Sequence, residues 1–234
     1  YISLLSSLIL AISPWHVLLS RAAFEANVAT FFIALGILLF LKATSGNKWL
    51  IVLSLASFIF SMYTFNTARI VAPLIFVVLT IGKMEFLLQM KKQAIAAFII
   101  GFILFLPLGI FLNTPQAKLR FNEVNIFSNI SIVEKSNQEI KNDGDISWSK
   151  IIHNRRVAYA LEYVKHYLDN LNPTFLFIKG DGNPKFSIQD VGQMYLWDLP
   201  FFVIGIFVLF RKKTGFWWIV PIWLLIGIIP AATA

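Results

Sequence analysis

The chain has 234 residues, of which 58% are hydrophobic and only 14% are charged. Charged residues make up about 25% of an ordinary soluble domain, so the composition excludes that class of protein. The formal net charge is +8 and cysteine is absent, which excludes disulfide bonds and thiolate metal sites. Because apolar runs close to bilayer-spanning length recur along the chain, we predict an all-α integral membrane protein.

The apolar runs predict about seven transmembrane helices. In chain order these predicted spans are 1–14, 24–41, 49–65, 70–82, 94–112, 196–210 and 215–232. They divide the chain into five spans in 1–112, one large loop domain in 113–195 and two more spans in 196–234. Because Tyr1 already lies in an apolar run and Ala234 directly follows one, we expect the chain to be a piece of a longer polytopic protein.

Basic residues collect in three of the short loops, as the cytoplasmic loops of membrane proteins require. They are Lys42, Lys48, Lys83, Lys91, Lys92, Arg211, Lys212 and Lys213. If the spans alternate, these loops share one side, and the large loop lies on the other side together with Arg21 and Arg69. We therefore predict a multi-pass protein of the cytoplasmic membrane with an extracytoplasmic loop domain. This topology explains the positive charge without a nucleic-acid partner.

The loop domain contains one clear amphipathic segment. Apolar residues at three- and four-residue spacing predict a helix over 154–171, which Pro173 ends. A second stripe on this helix consists of Tyr159, Tyr163 and Tyr167, and aromatic residues of this kind are typical of a membrane interface. By contrast, the many Asn, Ser, Asp and Lys residues of 122–150 predict a flexible segment.

The first of three polar clusters on the predicted outer side consists of His16, Arg21 and Glu25. Arg21 is a candidate phosphate ligand, because the forked donors of a guanidinium group match phosphate oxygens. A structural interpretation is also open. Arg21 and Glu25 are four residues apart and can form an ion pair on one helix, while His16 sits at the membrane interface.

The second cluster consists of Tyr63, Asn66 and Arg69, and the third consists of Asp181, Asn183 and Lys185 in a Gly-Asp-Gly-Asn turn. Arg69 suits a phosphate, but an arginine in an ordinary turn also snorkels to lipid headgroups. Asp-Gly is likewise a common turn sequence. Asp198 is placed to cap the sixth predicted span. The sequence lacks a Walker loop, His-Glu-x-x-His, Gly-x-Ser-x-Gly and any metal-ligand spacing, so an ATP-driven pump has no support.

Short motifs follow one another in order between the predicted spans. They are Ala11-Ile12-Ser13-Pro14-Trp15-His16-Val17 with Ser20-Arg21, Tyr63-Thr64-Phe65-Asn66-Thr67-Ala68-Arg69, Gly180-Asp181-Gly182-Asn183-Pro184-Lys185, Gly192-Gln193-Met194-Tyr195, Leu199-Pro200-Phe201 and Ile229-Pro230-Ala231-Ala232. In this order the set resembles the polytopic glycosyltransferases of the GT-C class. The similarity is to the dolichyl-phosphate-mannose protein mannosyltransferases and their bacterial aminoarabinose transferase relatives.

The resemblance implies transfer of a sugar from a polyprenyl-phosphate donor to an acceptor protein, lipid or glycan, in a cavity open to the extracytoplasmic face. It implies that Arg21 and Arg69 bind the lipid phosphate. The implied substrate cavity is lined by His16, Glu25, Tyr63, Asn66, Asp181, Asn183 and Lys185. The family's general base is an acidic residue of the first outer loop, often with a divalent metal nearby, and we expect it upstream of Tyr1.

The chain departs from the bacterial pattern at one point, because Lys185-Phe186 stands where Arg-His is common. Two other functions are also compatible with many spans and one large outer loop. A lipid or sugar transporter, such as a flippase, would use helices interrupted near Pro73 and Pro107. A polymerase or ligase of surface glycans is the other alternative.

Overall fold

The computed structural model describes residues 1–117, 119, 125–213 and 215–233, and in these ranges every regular element is helical. The helices are α1 Ile2–Ile12, α2 Pro14–Arg21, α3 Glu25–Ser45, α4 Leu50–Thr64, α5 Ala68–Gly82, α6 Met84–Gln89, α7 Lys91–Leu112, α8 Ile130–Asn142, α9 Ser147–Ile152, α10 Arg155–Asp169, α11 Asp198–Lys212 and α12 Ile219–Ala231. A 3-10 turn at Ile126–Ser128 precedes α8, and a π turn at Phe175–Lys179 follows α10. The predicted all-α fold class is confirmed.

Helices α3 and α4 pack closely because a small residue faces an aromatic ring. A β-carbon at Gly36 would stand 3.0 Å from the ring of Phe58. Ser54 is fully buried, and its hydroxyl donates to the Gly36 carbonyl at 2.7 Å. Small residues of this kind let helix backbones approach in apolar surroundings, and a buried hydroxyl then adds a bond between the helices.

The remaining long helices complete one apolar core around this pair. Helix α7 packs on α4 at Gly101, and α12 packs on α5. Phe40, Ile51, Leu79 and Met90 are almost completely buried where these helices meet. The core therefore joins helices from both ends of the chain, and α12 reaches it from more than a hundred residues away in sequence.

The outer surface of the bundle is also apolar. Phe98 and Ile110 are 71% exposed and Phe201 is 72% exposed, whereas soluble proteins rarely show large apolar patches. Helices α3 and α7 have 21 and 22 residues and are apolar enough to cross a membrane. At a rise of about 1.5 Å per residue, each spans roughly 32 Å, close to the hydrocarbon thickness of a bilayer. These properties are consistent with membrane association.

Helix length does not support the predicted count of seven transmembrane spans. Each predicted span overlaps a helix, but α4 and α5 have 15 residues each and α12 has 13, against the roughly 20 that a span requires. Phe65 and the turn at 215–218 lie outside the helices, although the apolar runs had assigned these residues to predicted spans. Within the described ranges, two helices qualify by length and composition, or three if α1 and α2, bent by 64°, form one broken span.

Contacts at the two ends of α12 show how the bundle is arranged. Near its start, a β-carbon on Gly82 would touch the ring of Trp218, and the Lys83 ammonium lies 4.8 Å from the centre of the Phe216 ring. Two of the lysine-rich loops therefore meet at one end. At the other end, the main-chain N–H of Ile126 donates to the Thr233 carbonyl at 2.9 Å, so the loop domain lies beside the end of α12. Which end is cytoplasmic stays a prediction.

Helix α8 corrects the prediction of a flexible segment over 122–150, of which 122–124 lie outside the described residues. The Asn129 side chain caps α8 by accepting a main-chain N–H of its first turn at 3.0 Å. The His153 ring lies between two carboxylates of α8, 2.9 Å from Glu139 and 3.1 Å from Asp143. A cap and a tertiary ion contact thus stabilise a polar helix whose composition alone favours disorder.

Two tyrosines of the α10 stripe contact α12, and the contact of the stripe with the membrane interface stays a prediction. The Tyr163 hydroxyl donates to the Ile229 carbonyl at 3.2 Å, and the Tyr167 hydroxyl donates to the Leu225 carbonyl at 3.0 Å. Burial raises the pKa of Tyr167 above its ordinary value, and the neighbouring Tyr163 raises it further. The stripe therefore attaches the loop domain to α12.

Candidate functional site

The Gly-Asp-Gly-Asn turn has a backbone that only glycine adopts readily. Gly180 has φ 65° and ψ −153°, and a β-carbon there would stand 2.7 Å from the Val191 carbonyl and even closer to the Ser187 hydroxyl. The Asp181 carboxylate accepts the Asn183 main-chain N–H at 2.7 Å, which closes the turn through a side chain. One Asp181 oxygen is thus used to fix the loop, and the carboxylate is held in place.

A second glycine holds the far end of the same loop against the π turn. Gly192 is buried, and a β-carbon there would stand 2.5 Å from the Phe177 α-carbon. The Met194 main-chain N–H donates to the Leu176 carbonyl at 2.8 Å beside this contact. The segment 180–194, which we call the cavity loop, is therefore fixed at both ends to the residues that follow α10.

The cavity loop, α10 and the end of α12 line an open cavity of about 530 Å³. Its lining residues are His166, Asp169, Asn170, Phe175, Asp181, Phe186 and Ala231. Four of these side chains are polar, and carboxylate, amide and imidazole groups are suited to hydrogen bonding with hydroxyl-rich ligands. The volume lies within the range of ordinary small-molecule sites. This cavity is the candidate site.

The polar side of α10 orients two of these groups. The His166 Nε2 atom lies 3.3 Å from a Glu162 carboxylate oxygen, one helical turn earlier. The Asn170 side-chain amide donates to the His166 carbonyl at 2.8 Å. The His166 imidazole therefore lies beside a carboxylate at the wall of the cavity.

The first predicted cluster lies close to the cavity loop. Pro14 starts α2 after the bend, and the main-chain N–H of Trp15 donates to the Gln193 carbonyl at 3.3 Å. Farther along, the Phe24 ring lies 5.8 Å from the ring of Phe186, a residue that lines the cavity. The segment that carries His16, Arg21 and Glu25 thus contacts the loop that carries Asp181, Asn183 and Lys185.

The alternative interpretation, an ion pair between Arg21 and Glu25 on one helix, has no support in the structure. Helix α2 ends at Arg21, the chain turns through Ala23 with a positive φ of 51°, and α3 begins at Glu25. In the part of the chain that the structure describes, the ion pairs do not include these two residues together. The Arg21 side chain is exposed, and the His16 ring stacks edge-on against Trp15 at 5.5 Å.

The second predicted cluster packs against α7 instead of the cavity. The Tyr63 hydroxyl donates to the Leu104 carbonyl at 2.7 Å. The Arg69 Nε atom donates to the Met62 carbonyl at 3.2 Å, and its guanidinium lies 5.6 Å from the centre of the Phe111 ring. Tyr63 and Arg69 therefore have structural contacts here, and those contacts do not reach the cavity loop.

A smaller apolar slot of about 240 Å³ lies between the first and second clusters. Its walls come from α3, the start of α5 and α12, and the lining residues are Ala26, Ala29, Thr30, Ile33, Phe65, Thr67, Ala68, Val71, Trp223 and Gly227. Glu25 and Asn66 each directly precede a lining residue. The slot is suited to an apolar chain rather than a sugar, because nearly all of its lining is hydrophobic.

A divalent metal was the cofactor that the resemblance suggested. Across the described ranges, no three His, Asp or Glu side chains are grouped so that they could hold a metal ion. The cavity wall contains the Asp169 and Asp181 carboxylates and the His166 imidazole, but these three groups are not arranged so that they could hold a metal ion. These residues do not fit a metal centre, so no chemical step is assigned to one here.

In comparisons with known proteins, no protein family, curated protein or solved structure matches this chain.

Sequence reasoning missed His166 and Asp169 as site residues. Both belong to the amphipathic helix that the periodicity predicted, and both lie on its polar face, which a single helix normally presents to water. Their role depends on the cavity loop folding back over α10. To identify them from sequence, one would have to know that α10 packs beside the Gly-Asp-Gly-Asn turn that carries Asp181.

Proposed function

We propose that the chain belongs to a polytopic membrane glycosyltransferase of GT-C type, which moves a sugar from a polyprenyl phosphate to an acceptor on the extracytoplasmic face. In this proposal all seven apolar helical segments lie in the membrane, the shorter ones as partial spans that thin the bilayer locally. The observation that carries the proposal is the cavity, because it unites Asp181 of the Gly-Asp-Gly-Asn loop with His166 and Asp169 of α10.

The proposed role of Arg21 follows from the charge of the leaving group. The acceptor oxygen bonds to the anomeric carbon while the bond from that carbon to the phosphate oxygen breaks, and polyprenyl phosphate departs with the bonding electrons. A preorganised guanidinium stabilises negative charge where it develops. The acceptor's proton passes to the carboxylate base that the resemblance places upstream of Tyr1.

The proposed sugar site is the polar cavity, and the proposed lipid site is the apolar slot. Sugar hydroxyls can donate hydrogen bonds to the Asp169 and Asp181 carboxylates and can accept one from the Asn170 side-chain amide. The slot is lined by Ala26 and Thr67, and Glu25 lies between Arg21 and Ala26 in the sequence. In this proposal the slot binds the isoprenyl units nearest the phosphate. This division matches a donor with one polar and one apolar end.

One observation favours a transporter as the second candidate. Helices α1 and α2 meet at 64° around Ser13-Pro14, and broken helices are common at the substrate sites of transporters. Such a protein would move the intact lipid-linked sugar and leave the bond between sugar and phosphate unbroken. The two functions therefore differ in their products.

The test uses the protein in lipid nanodiscs with a series of polyprenyl phosphates that carry radiolabelled sugars. We expect Arg21→Ala to reduce transfer by roughly 100-fold or more, as the loss of one transition-state donor does in other enzymes. Arg211→Ala is the matched control, because Arg211 is also an exposed arginine but lies at the end of α11. Equal transfer by the two variants would refute the role of Arg21. Flipping of intact donor in vesicles without transfer would favour the transporter.

A further inference from the structure

Basic side chains collect in three short loops and in the helix turns beside them. They are Lys42, Lys48, Lys83, Lys91, Lys92, Arg211, Lys212 and Lys213. Within 42–49, 83–92 and 211–213 the sequence has a single acidic residue, Glu85. Because the chain has 20 basic and 12 acidic residues in all, the remainder carries 12 basic and 11 acidic residues. These three segments therefore account for nearly all of the net charge of +8.

Helix packing brings the three segments to one end of the bundle. Helices α3 and α5 run side by side in the same direction, because their first turns line the apolar slot and the Phe40 and Phe76 rings meet 6.4 Å apart near their last turns. The end of α11 joins them, since the Phe210 ring lies 5.5 Å from the Trp217 ring in the turn that packs against α5. We call this part of the bundle the basic end.

Aromatic rings position two of the cations at the basic end without neutralising them. The Lys83 ammonium lies 4.8 Å from the centre of the Phe216 ring, and the Lys213 ammonium lies 5.4 Å from the centre of the Trp217 ring. A ring attracts a cation through its quadrupole, and the cation keeps its charge. Within the part of the chain that the structure describes, the ion pairs include none of the eight basic residues of this end. Its positive charge is therefore open to an external anion.

A groove of about 460 Å³ lies along 81–89 at the basic end. Its polar lining includes the Lys83 ammonium and the Gln89 side-chain amide, which donate hydrogen bonds, and the Glu85 carboxylate, which repels an anion. Beside these groups, Met84 and Leu88 lie one turn apart on α6 and are 49% and 60% exposed. The segment thus places a cation next to uncovered apolar side chains, as an anionic lipid requires.

We propose that the basic end binds an anionic phospholipid, with the headgroup phosphate in the groove beside Lys83. The occupant is a lipid rather than free phosphate, because Met84 and Leu88 supply an apolar surface for the acyl chains next to the cation. Each Lys or Arg near an anionic lipid surface strengthens association by roughly fivefold. The proposal depends on membrane insertion. It depends neither on glycosyl transfer nor on which end of the bundle is cytoplasmic.

The test measures binding of phosphatidylglycerol and of phosphatidylcholine to the full chain in detergent micelles by native mass spectrometry. Both lipids carry a phosphate, but only phosphatidylglycerol has a net negative charge. We expect phosphatidylglycerol to bind several-fold more tightly. Lys83→Gln should weaken its binding by roughly fivefold, and Lys83→Arg should retain it. Glu85→Gln should strengthen it, because a repelling carboxylate is lost from the groove.

Lys135→Gln is the matched control, since Lys135 is also a lysine outside the ion pairs but lies in α8 of the loop domain. Equal affinity for the two lipids would overturn the proposal, and so would equal weakening by Lys83→Gln and Lys135→Gln. Displacement of bound lipid by millimolar inorganic phosphate would show that the groove takes free phosphate instead. Circular dichroism of each variant establishes that the helical fold is intact before affinities are compared.

Discussion

Replacing Gly180 by alanine tests how the cavity loop is held. The backbone of Gly180 lies in a region that is essentially restricted to glycine, where a side chain costs about 1–3 kcal/mol. The added methyl group would also meet the Val191 carbonyl and the Ser187 side chain, and overpacking of this kind costs about 1–3 kcal/mol more. We therefore expect Gly180→Ala to destabilise the closed loop by at least about 2 kcal/mol.

The assay is hydrogen exchange followed by mass spectrometry on peptides that cover 175–194, with the protein in nanodiscs. The Met194 N–H, which bonds to the Leu176 carbonyl, reports directly on loop closure. A loss of about 2 kcal/mol corresponds to roughly a 30-fold increase in local opening. Exchange in α3 and α4 should be unchanged, because those helices pack elsewhere.

Gly182→Ala is the matched control, since it places the same methyl group in the same turn. A β-carbon at Gly182 meets no atom within 4 Å, and its φ is not in the left-handed region. We expect this variant to change exchange by less than the equivalent of about 0.5 kcal/mol. Equal exchange in Gly180→Ala and Gly182→Ala would refute the role of strain and overpacking at Gly180. Loop opening would then follow from the loss of any glycine in the turn.

Three further predictions concern single hydrogen bonds. In an ultraviolet titration of the tyrosines, Tyr167→Phe should remove one transition, the one whose pKa is raised. The fold favours the neutral phenol of Tyr167, so this phenol stabilises the protein below the ordinary tyrosine pKa of about 10. That stabilisation is lost as pH rises through the pKa of Tyr167 in the folded protein. Asp198 is the first residue of α11 rather than its N-cap, which is Trp197, and the Asp198 carboxylate accepts the Tyr195 main-chain N–H at 3.0 Å. Asp198→Ala should lower the free energy of unfolding by about 1 kcal/mol through loss of this bond, and Asp198→Asn should retain most of it. Ser54→Ala should lower the unfolding free energy by about 1 kcal/mol in detergent, and an unchanged value would show that the 2.7 Å bond to α3 contributes nothing.

The helices were the most predictable part of this molecule. The apolar run at 94–112 became α7 at Lys91–Leu112, and the periodic segment 154–171 became α10 at Arg155–Asp169. Periodicity and apolar length depend on neighbouring residues, so they are visible in sequence. Helix length does not support the predicted number of spans, because an apolar run does not show where a turn such as 215–218 will shorten its helix.

The site was less predictable because long-range packing creates it. The sequence identified the Gly-Asp-Gly-Asn turn and the Arg21 segment, and the structure brings both to the cavity loop through Trp15 and Phe24. The sequence could not pair that loop with α10, since no local pattern shows that Asp181 and His166 line the same cavity. The Arg69 turn illustrates the same limit, because its contacts with α4 and α7 are tertiary and the sequence does not show them.

The slot between α3, α5 and α12 has a consequence for the order in which the protein is assembled. Roughly 150 residues separate Val71 from Trp223, and synthesis at about 5–20 residues per second takes on the order of 10 s to cover that distance. During this interval α3, α4 and α5 can pack together, but their surface toward α12 has no partner. The slot therefore forms only after α12 has been synthesised.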